Sequence, residues 1–238
     1  MRTIKFFTPS LLEVEIRETN GADDDILSSV EDPVEMLNRY LASLVLSING
    51  NTMVKGSDIK NLRLRDKYFI LIKSRIFSLG EILYFKQEWG NGASPEEFAI
   101  DLRSFVWDDP QEPMGPDCIK PYPNMEMMSK TLDSGKQVRM KFMDGNGESM
   151  LMKKSPQART INMQLLARGL QVFQDGDWVD VTNFTPFTSR EMAQIRSLYE
   201  ELDPAVEGLI ELVNPATLQP HYISLLEIKD FFFPVKVS

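Results

Sequence analysis

Residues 62–85 read LRLRDKYFILIKSRIFSLGEILYF. Leu62, Phe69, Ile72, Ile76 and Leu79 recur at helical spacing, and the pattern predicts one helix running from Asp58 to a stop at Gly80. The next stretch, EILYFKQEWGNGASPEEFAIDLRSF, reads as strand, loop, strand. A helix that feeds a hairpin is the unit on which an α+β reading rests. The helix is also basic: Lys60, Arg63, Arg65, Lys67, Lys73 and Arg75 outnumber Asp58 and Asp66. Those charges are expected to be the solvated flanks of an amphipathic helix. The competing reading makes them a partner-binding face carried by Arg65, Asp66 and Arg75.

Working outward, LLEVEIRE alternates apolar and charged residues and predicts the second strand of an N-terminal hairpin within residues 2–18, with GADDD following as a loop. EDPVEMLNRYLASLVLSING predicts a helix capped by Asp32, with Pro33 at its first position. Its stripe of Val34, Leu37, Leu41, Leu44, Val45 and Ile48 is expected in the core, and Asn49-Gly50 is expected to end it. The run WDDPQEPMGPDCIKPYPNM has no period and reads as a surface connector. TLDSGKQVRMKFMDGNGESMLMKK reads as a hairpin with Asp144-Gly145-Asn146-Gly147 at its turn. The same four residues begin like a calcium loop, but Ser149 stands where glycine is needed and Ser155 where the bidentate glutamate is needed, which rejects that reading. LQVFQDGDWVDVTNF predicts a hairpin around Asp175-Gly176, and Thr188 with Glu191 is a capping box opening another helix. LIELVNPATLQPHYISLLEI is strand, loop, strand, and DFFFP follows at 230–234.

The chain has 238 residues and a net charge of −9, which opposes binding to nucleic acid and to anionic membrane surfaces. No apolar run approaches the length of a membrane span, and the N-terminus carries no signal-peptide pattern. Cys118 is the one cysteine, so neither an internal disulfide nor a cysteine metal cluster is available, and the lone thiol fits a reducing compartment. His221 is the one histidine, so any serine or cysteine nucleophile with a histidine base would have to use it; a structural role is the expectation. No cofactor and no metal are expected. Division of the chain is expected at 1–80 (hairpin and helical pair), 81–187 (β-rich middle) and 188–238 (C-terminal helix plus hairpin, packed on the first helices).

Two stretches share an order of helix, glycine, strand, loop, strand: RDKYFILIKSRIFSLG with its hairpin, and REMAQIRSLYEELDPAVEG with LIELVNP…HYISLLEIKDF. Three segments, LRLRDKYFILIKSRIFSLGEILYF, LDSGKQVRMKFM and FTSREMAQIRSLYEELDPAVEGLIELVNP…LLEIKDFFFP, resemble the baseplate hub assembly proteins, or tail assembly chaperones, of T-even-like contractile-tailed bacteriophages. The resemblance covers residues of about 60–85, 130–143 and 187–234 in the same order. It implies a helical core with protruding hairpins, and hub or tail proteins as partners. It places the work in the host cytoplasm during virion morphogenesis, or in the baseplate itself if the chain is a retained hub subunit. Many members of that family carry cysteine pairs at the hairpin tips, like zinc ribbons. Here the tips read WGNGASP and NPATLQP, so loop residues must hold the turns.

The implied activity is binding rather than catalysis. A carboxylate-based hydrolase is the distant alternative, and it requires a cleft holding two carboxylates at a fixed separation. Phe231, Phe232, Phe233 and Pro234 complete the expected partner-binding set. Read as a strand, they put Phe231 and Phe233 on one face and Phe232 on the other. One face is expected to close the chain's own core on its helices and the other to meet a partner.

Overall fold

The N-terminal alternation forms a hairpin of β1 (Thr3–Phe7) and β2 (Glu13–Arg17), with Val14 and Ile16 facing inward and fully buried. A computed structural model describes residues 2–29, 32–89, 94–111, 115, 118–119, 121, 126–202, 209–225 and 228–233. The fold is α+β, with helices and antiparallel sheets.

GADDD is not a loop but the start of α1 (Gly21–Ser29). Tertiary partners decide this: the buried Asp23 carboxylate accepts two hydrogen bonds from Arg17, at 2.8 and 2.6 Å, and one from Ser43 Oγ at 2.8 Å. Asp32 caps α2 (Pro33–Leu44), accepting from the Val34 and Glu35 N–H groups at 2.9 and 3.1 Å. The expected last turn of that helix is instead β3 (Val45–Ile48), the third strand of the β1-β2-β3 sheet. Val45 and Ile48 are β-branched, and pairing with β2 outweighs one more helical turn.

The stretch 58–79 is two helices, α3 (Gly56–Asn61) and α4 (Leu64–Leu79). Leu62 and Arg63 are extended because backbone from a distant segment joins them: Arg63 bridges Asp144, and the Leu64 N–H donates to Met143 O at 2.8 Å. Gly80 ends α4 as expected, with φ of 90°. The chain continues into β4 (Ile82–Gln87) and β5 (Glu96–Asp101), an antiparallel pair in which Phe85 faces Phe98.

The middle of the chain holds β6 (Met127–Thr131), β7 (Gln137–Lys141), α5 (Gly145–Met152), α6 (Ile161–Ala167), β8 (Gln171–Gln174) and β9 (Asp177–Asp180). The four strands form one sheet in sequence order. The β6–β7 turn is made by Leu132–Lys136, not by Asp144–Gly147. Asp144 is the N-cap of α5 instead, accepting from the Asn146 and Gly147 N–H groups at 2.9 Å each. The glycines of that motif serve close packing. A Cβ on Gly145 would sit 2.7 Å from Lys60 O, and one on Gly147 would sit 2.8 Å from Ala167 O.

The Thr188/Glu191 capping box forms reciprocally at the start of α7 (Ser189–Leu202), with bonds of 2.7 and 3.2 Å. Then come β10 (Leu209–Val213), β11 (Pro220–Ser224) and the short helix α8 (Lys229–Phe232).

Two apolar clusters result. One gathers around α4, with α2, the first sheet, both two-stranded hairpins and Phe231. The other lies between the four-stranded sheet, α6 and α7. The described elements after residue 188 therefore divide between them, α7 in the second, with β10, β11 and α8 in the first.

Candidate functional site

The expected basic face of α4 does not face solvent. Arg65, Asp66, Lys67, Lys73 and Arg75 are all buried, so neither solvated flanks nor an exposed docking face describes them. The apolar run Tyr68–Ile72 occupies every side of the helix, and a helix that is apolar all round is enclosed. Phe69 sits at the centre, its ring 5.9 Å from Phe6 and 4.8 Å from Trp107.

Four of these buried charges find different accommodations. Lys67, fully buried, donates to Glu148 Oε2 at 3.2 Å. Lys73 lies 5.7 Å from the Phe6 ring centre and reaches out to Asp108. Arg75 donates from Nη1 to Gly80 O at 2.9 Å, while its Nε and Nη2 find no partner among the described residues. Burial lowers the Arg75 pKa, partly offset by Tyr40. Asp66 Oδ1 accepts from the Ser10 N–H at 2.9 Å, and Oδ2 has no partner among the described residues. Burial holds the Asp66 carboxyl above the usual aspartate range, tempered by the Ser10 N–H bond and the nearby Ser10 and Thr8 hydroxyls. Asp66 therefore fastens the Thr8–Ser10 turn of the first hairpin onto α4 and favours its protonated form.

The sign of that effect yields a test. A carboxyl whose folded pKa is raised stabilises the fold most below the unfolded value, and that contribution is lost as pH rises through the folded value. Asp66→Asn keeps the acceptor for Ser10 N–H and removes the titration. The variant is expected to melt a few degrees above the parent at pH 7, with the advantage disappearing below pH ~4, the ordinary aspartate range. A lower melting temperature at pH 7 would show that Asp66 is held as a stabilising anion.

The C-terminal phenylalanines are helical, not extended. The Phe231 N–H donates to Ile228 O at 2.9 Å, and α8 lies beside β4. The helical turn replaces the alternating faces. Phe231 is 1% exposed, Phe232 packs edge-on against Tyr40 of α2 at 5.9 Å, and Phe233 is 38% exposed. The tail thus closes the core on the chain's own helices through two adjacent rings. Tyr40 of α2 is thus the partner that holds the Phe232 ring of the tail. Pro234 lies outside the described residues.

The two two-stranded hairpins, by contrast, carry several exposed apolar residues. Trp89 joins them, its ring 6.2 Å from Phe98 and 5.7 Å from His221. This ring contact gives His221 a structural place, although the residue is exposed. The inward residues Leu83, Phe85, Ile210 and Leu212 belong to the first core. The outward ones include Tyr84, Val213 and Tyr222, and Leu218 at the tip is 76% exposed. A groove of 470 Å³ runs along β4 and β5 between Tyr84, Phe98 and Asp230. The β10–β11 tip is fastened by Asn214, whose Oδ1 accepts from the Ala216 and Thr217 N–H groups at 2.9 and 3.3 Å. This is an Asx turn, in which the side chain ties the loop backbone. The tip at 90–93 lies outside the described residues.

Sequence reasoning missed these outward apolar residues. The available signal was the alternation in LIELV and HYISL, which assigns Glu211 and Val213 to one face of β10 and Tyr222 to the matching face of β11.

Among the described residues no helix is long and apolar enough to cross a membrane, and no group of three or more histidine, cysteine or acidic side chains could hold a metal ion. No family model, curated protein or solved structure matches this chain.

Proposed function

We propose that this chain is a baseplate hub assembly protein of a contractile phage tail, acting as a chaperone-like binder of hub or tail proteins in the host cytoplasm. The reading rests on the three resembling segments and on the order in which they occur. The observation that carries it is the joined hairpin pair, which presents Tyr84, Val213, Leu218 and Tyr222 outward from a firm apolar base. Exposed apolar and aromatic residues gathered on rigid strands are what a protein partner can bury. The hairpins correspond to the family's ribbons, with Asn214 in place of cysteine ligands at the second tip. Binding, not catalysis, is the activity in this reading.

The test is a pulldown with tagged protein from phage-infected cells, with recovered proteins identified by mass spectrometry and purified particles probed in parallel. Recovery of baseplate or tail proteins is expected, with the chain missing from particles. Its presence in particles would make it a retained hub subunit. Recovery of no tail protein would overturn the reading.

A further inference from the structure

One face of the four-stranded sheet stays open to solvent. The register puts Met128, Met140, Val138 and Val172 on the side that packs against α6 and α7. Ser129, Arg139, Gln171 and Asp180 stand in line across the other side. Lys141, Phe173 and Trp178 share that side, each two residues along its strand from a member of the line. Phe173 is 41% exposed, and Lys141 and Asp180 are exposed as well.

This face is held in order by its own contacts. The Phe173 and Trp178 ring centres are 5.2 Å apart, and the Arg139 guanidinium lies 4.4 Å from the Trp178 ring centre. Arg139 Nε donates to Gln171 Oε1 at 2.7 Å, and Gln171 Nε2 donates to Asp180 Oδ1 at 2.8 Å. An aromatic already fixed on a strand loses little entropy when a partner covers it.

Opposite charges stand at opposite ends. Arg139 faces Gln171 at the start of β8, and Lys141 lies two residues beyond Arg139, away from the β8–β9 turn. Asp175 and Asp177 flank Gly176 at that turn. None of Lys141, Asp175 and Asp177 enters an ion pair among the described residues. The edge of β9 is blunted, because the Trp178 N–H donates to Asp177 Oδ1 at 2.7 Å. The face, rather than that edge, is what a partner would meet.

We propose that this face pairs with the same face of a second copy of this chain. A two-fold axis lying between the faces and crossing the strands reverses their direction from one copy to the other. The Lys141 end of each copy then meets the Asp175-Gly176-Asp177 turn of the other, so the charges are complementary twice over. Phe173 lies between the two charged ends, and the two copies of its ring meet near the axis. A face of one sign would repel its own copy; this one gathers both signs in a chain whose net charge is −9.

Sedimentation equilibrium of the full chain is the test. Four short strands offer less than the about 800 Å² per partner of a standard interface, so a monomer–dimer equilibrium with Kd on the order of 100 μM is expected at low salt. Raising the salt from about 50 to about 500 mM is expected to weaken it at least threefold, because the end contacts are ionic. Phe173→Ser and Lys141→Glu, both at exposed positions, are each expected to weaken it at least fivefold while melting as the parent does. Met53→Ser, at an exposed residue in the loop between β3 and α3, is expected to leave the Kd unchanged. A monomer at every concentration up to about 1 mM would overturn the proposal, as would a dimer indifferent to salt. Full dimerisation by Phe173→Ser or by Lys141→Glu, or equal weakening by Met53→Ser, would overturn it too. None of these outcomes bears on tail-protein capture by the two-stranded hairpins.

Discussion

Lys67→Met lowers the melting temperature by roughly 6–20 °C, and Glu148→Gln does the same. Removing one member of a buried ion pair typically costs about 3–5 kcal/mol, because the other charge is left without compensation. In a chain of this length each kcal/mol moves the midpoint by about 2–4 °C. Lys67 is fully buried, and its amine is pushed below the usual lysine range by burial, with Glu148 opposing that shift. Replacing both partners should restore most of the loss, because the fold needs compensation rather than charge. Lys67→Met with Glu148→Leu is therefore expected to melt within a few degrees of the parent. The pair ties α4, which lies in the first apolar cluster, to α5, close in sequence to the Arg63–Asp144 bridge and the Leu64–Met143 backbone bond. Single variants should thus separate the unfolding of the two clusters, seen as a broadened calorimetric transition. If the single variants shift the midpoint by less than about 2 °C, the pair is not desolvated as described.

Phe231→Ala is the second large effect. Truncating a fully buried phenylalanine costs about 3–5 kcal/mol. Phe231 is 1% exposed, and Phe232 is only partly buried against Tyr40. Phe232→Ala is expected to cost about half as much, and Phe233→Ala to stay within ~0.5 kcal/mol, as for most surface changes. This ranking separates the two conformations of the tail. A strand would make Phe231 and Phe233 equivalent and set Phe232 apart. The helical turn groups Phe231 with Phe232 and leaves Phe233 outside. Equal losses at Phe231 and Phe233, measured by thermal denaturation, would contradict the helix.

Local chemistry was legible in the sequence wherever it decided the outcome. The Asp32 cap, the stop at Gly80, the Thr188/Glu191 box and the Asp175-Gly176 hairpin are all set by residues a few positions apart. The misreadings share another cause. Val45–Ile48 continues a helical stripe, but an open strand edge on β2 claims it. Asp144–Gly147 has the composition of a tight turn, yet its glycines are there because Lys60 and Ala167 backbone approach from other helices. The α1 segment is fixed by Arg17, a residue on a strand.

The site followed the same logic. A basic stretch on an acidic chain looked like a surface because single charges are ordinarily solvated. The contrary signal was nearby: five apolar residues in succession, Tyr68–Ile72, cannot all face one side of a helix. The aromatic tail was read correctly as closing the core, and incorrectly as a strand, because three adjacent phenylalanines carry no period of their own. The outward residues of the hairpins required knowing which face Trp89 had already covered.

In the proposed function the joined hairpins, not the basic helix, form the partner surface. The most direct measurement compares the parent with a Leu218→Glu, Tyr222→Ser variant in the infected-cell pulldown, after both have been checked by thermal melting. These positions are 76% and 56% exposed, so the variant should melt within about 2 °C of the parent. The variant is expected to lose capture of the tail proteins. Undiminished capture by the folded variant would contradict it.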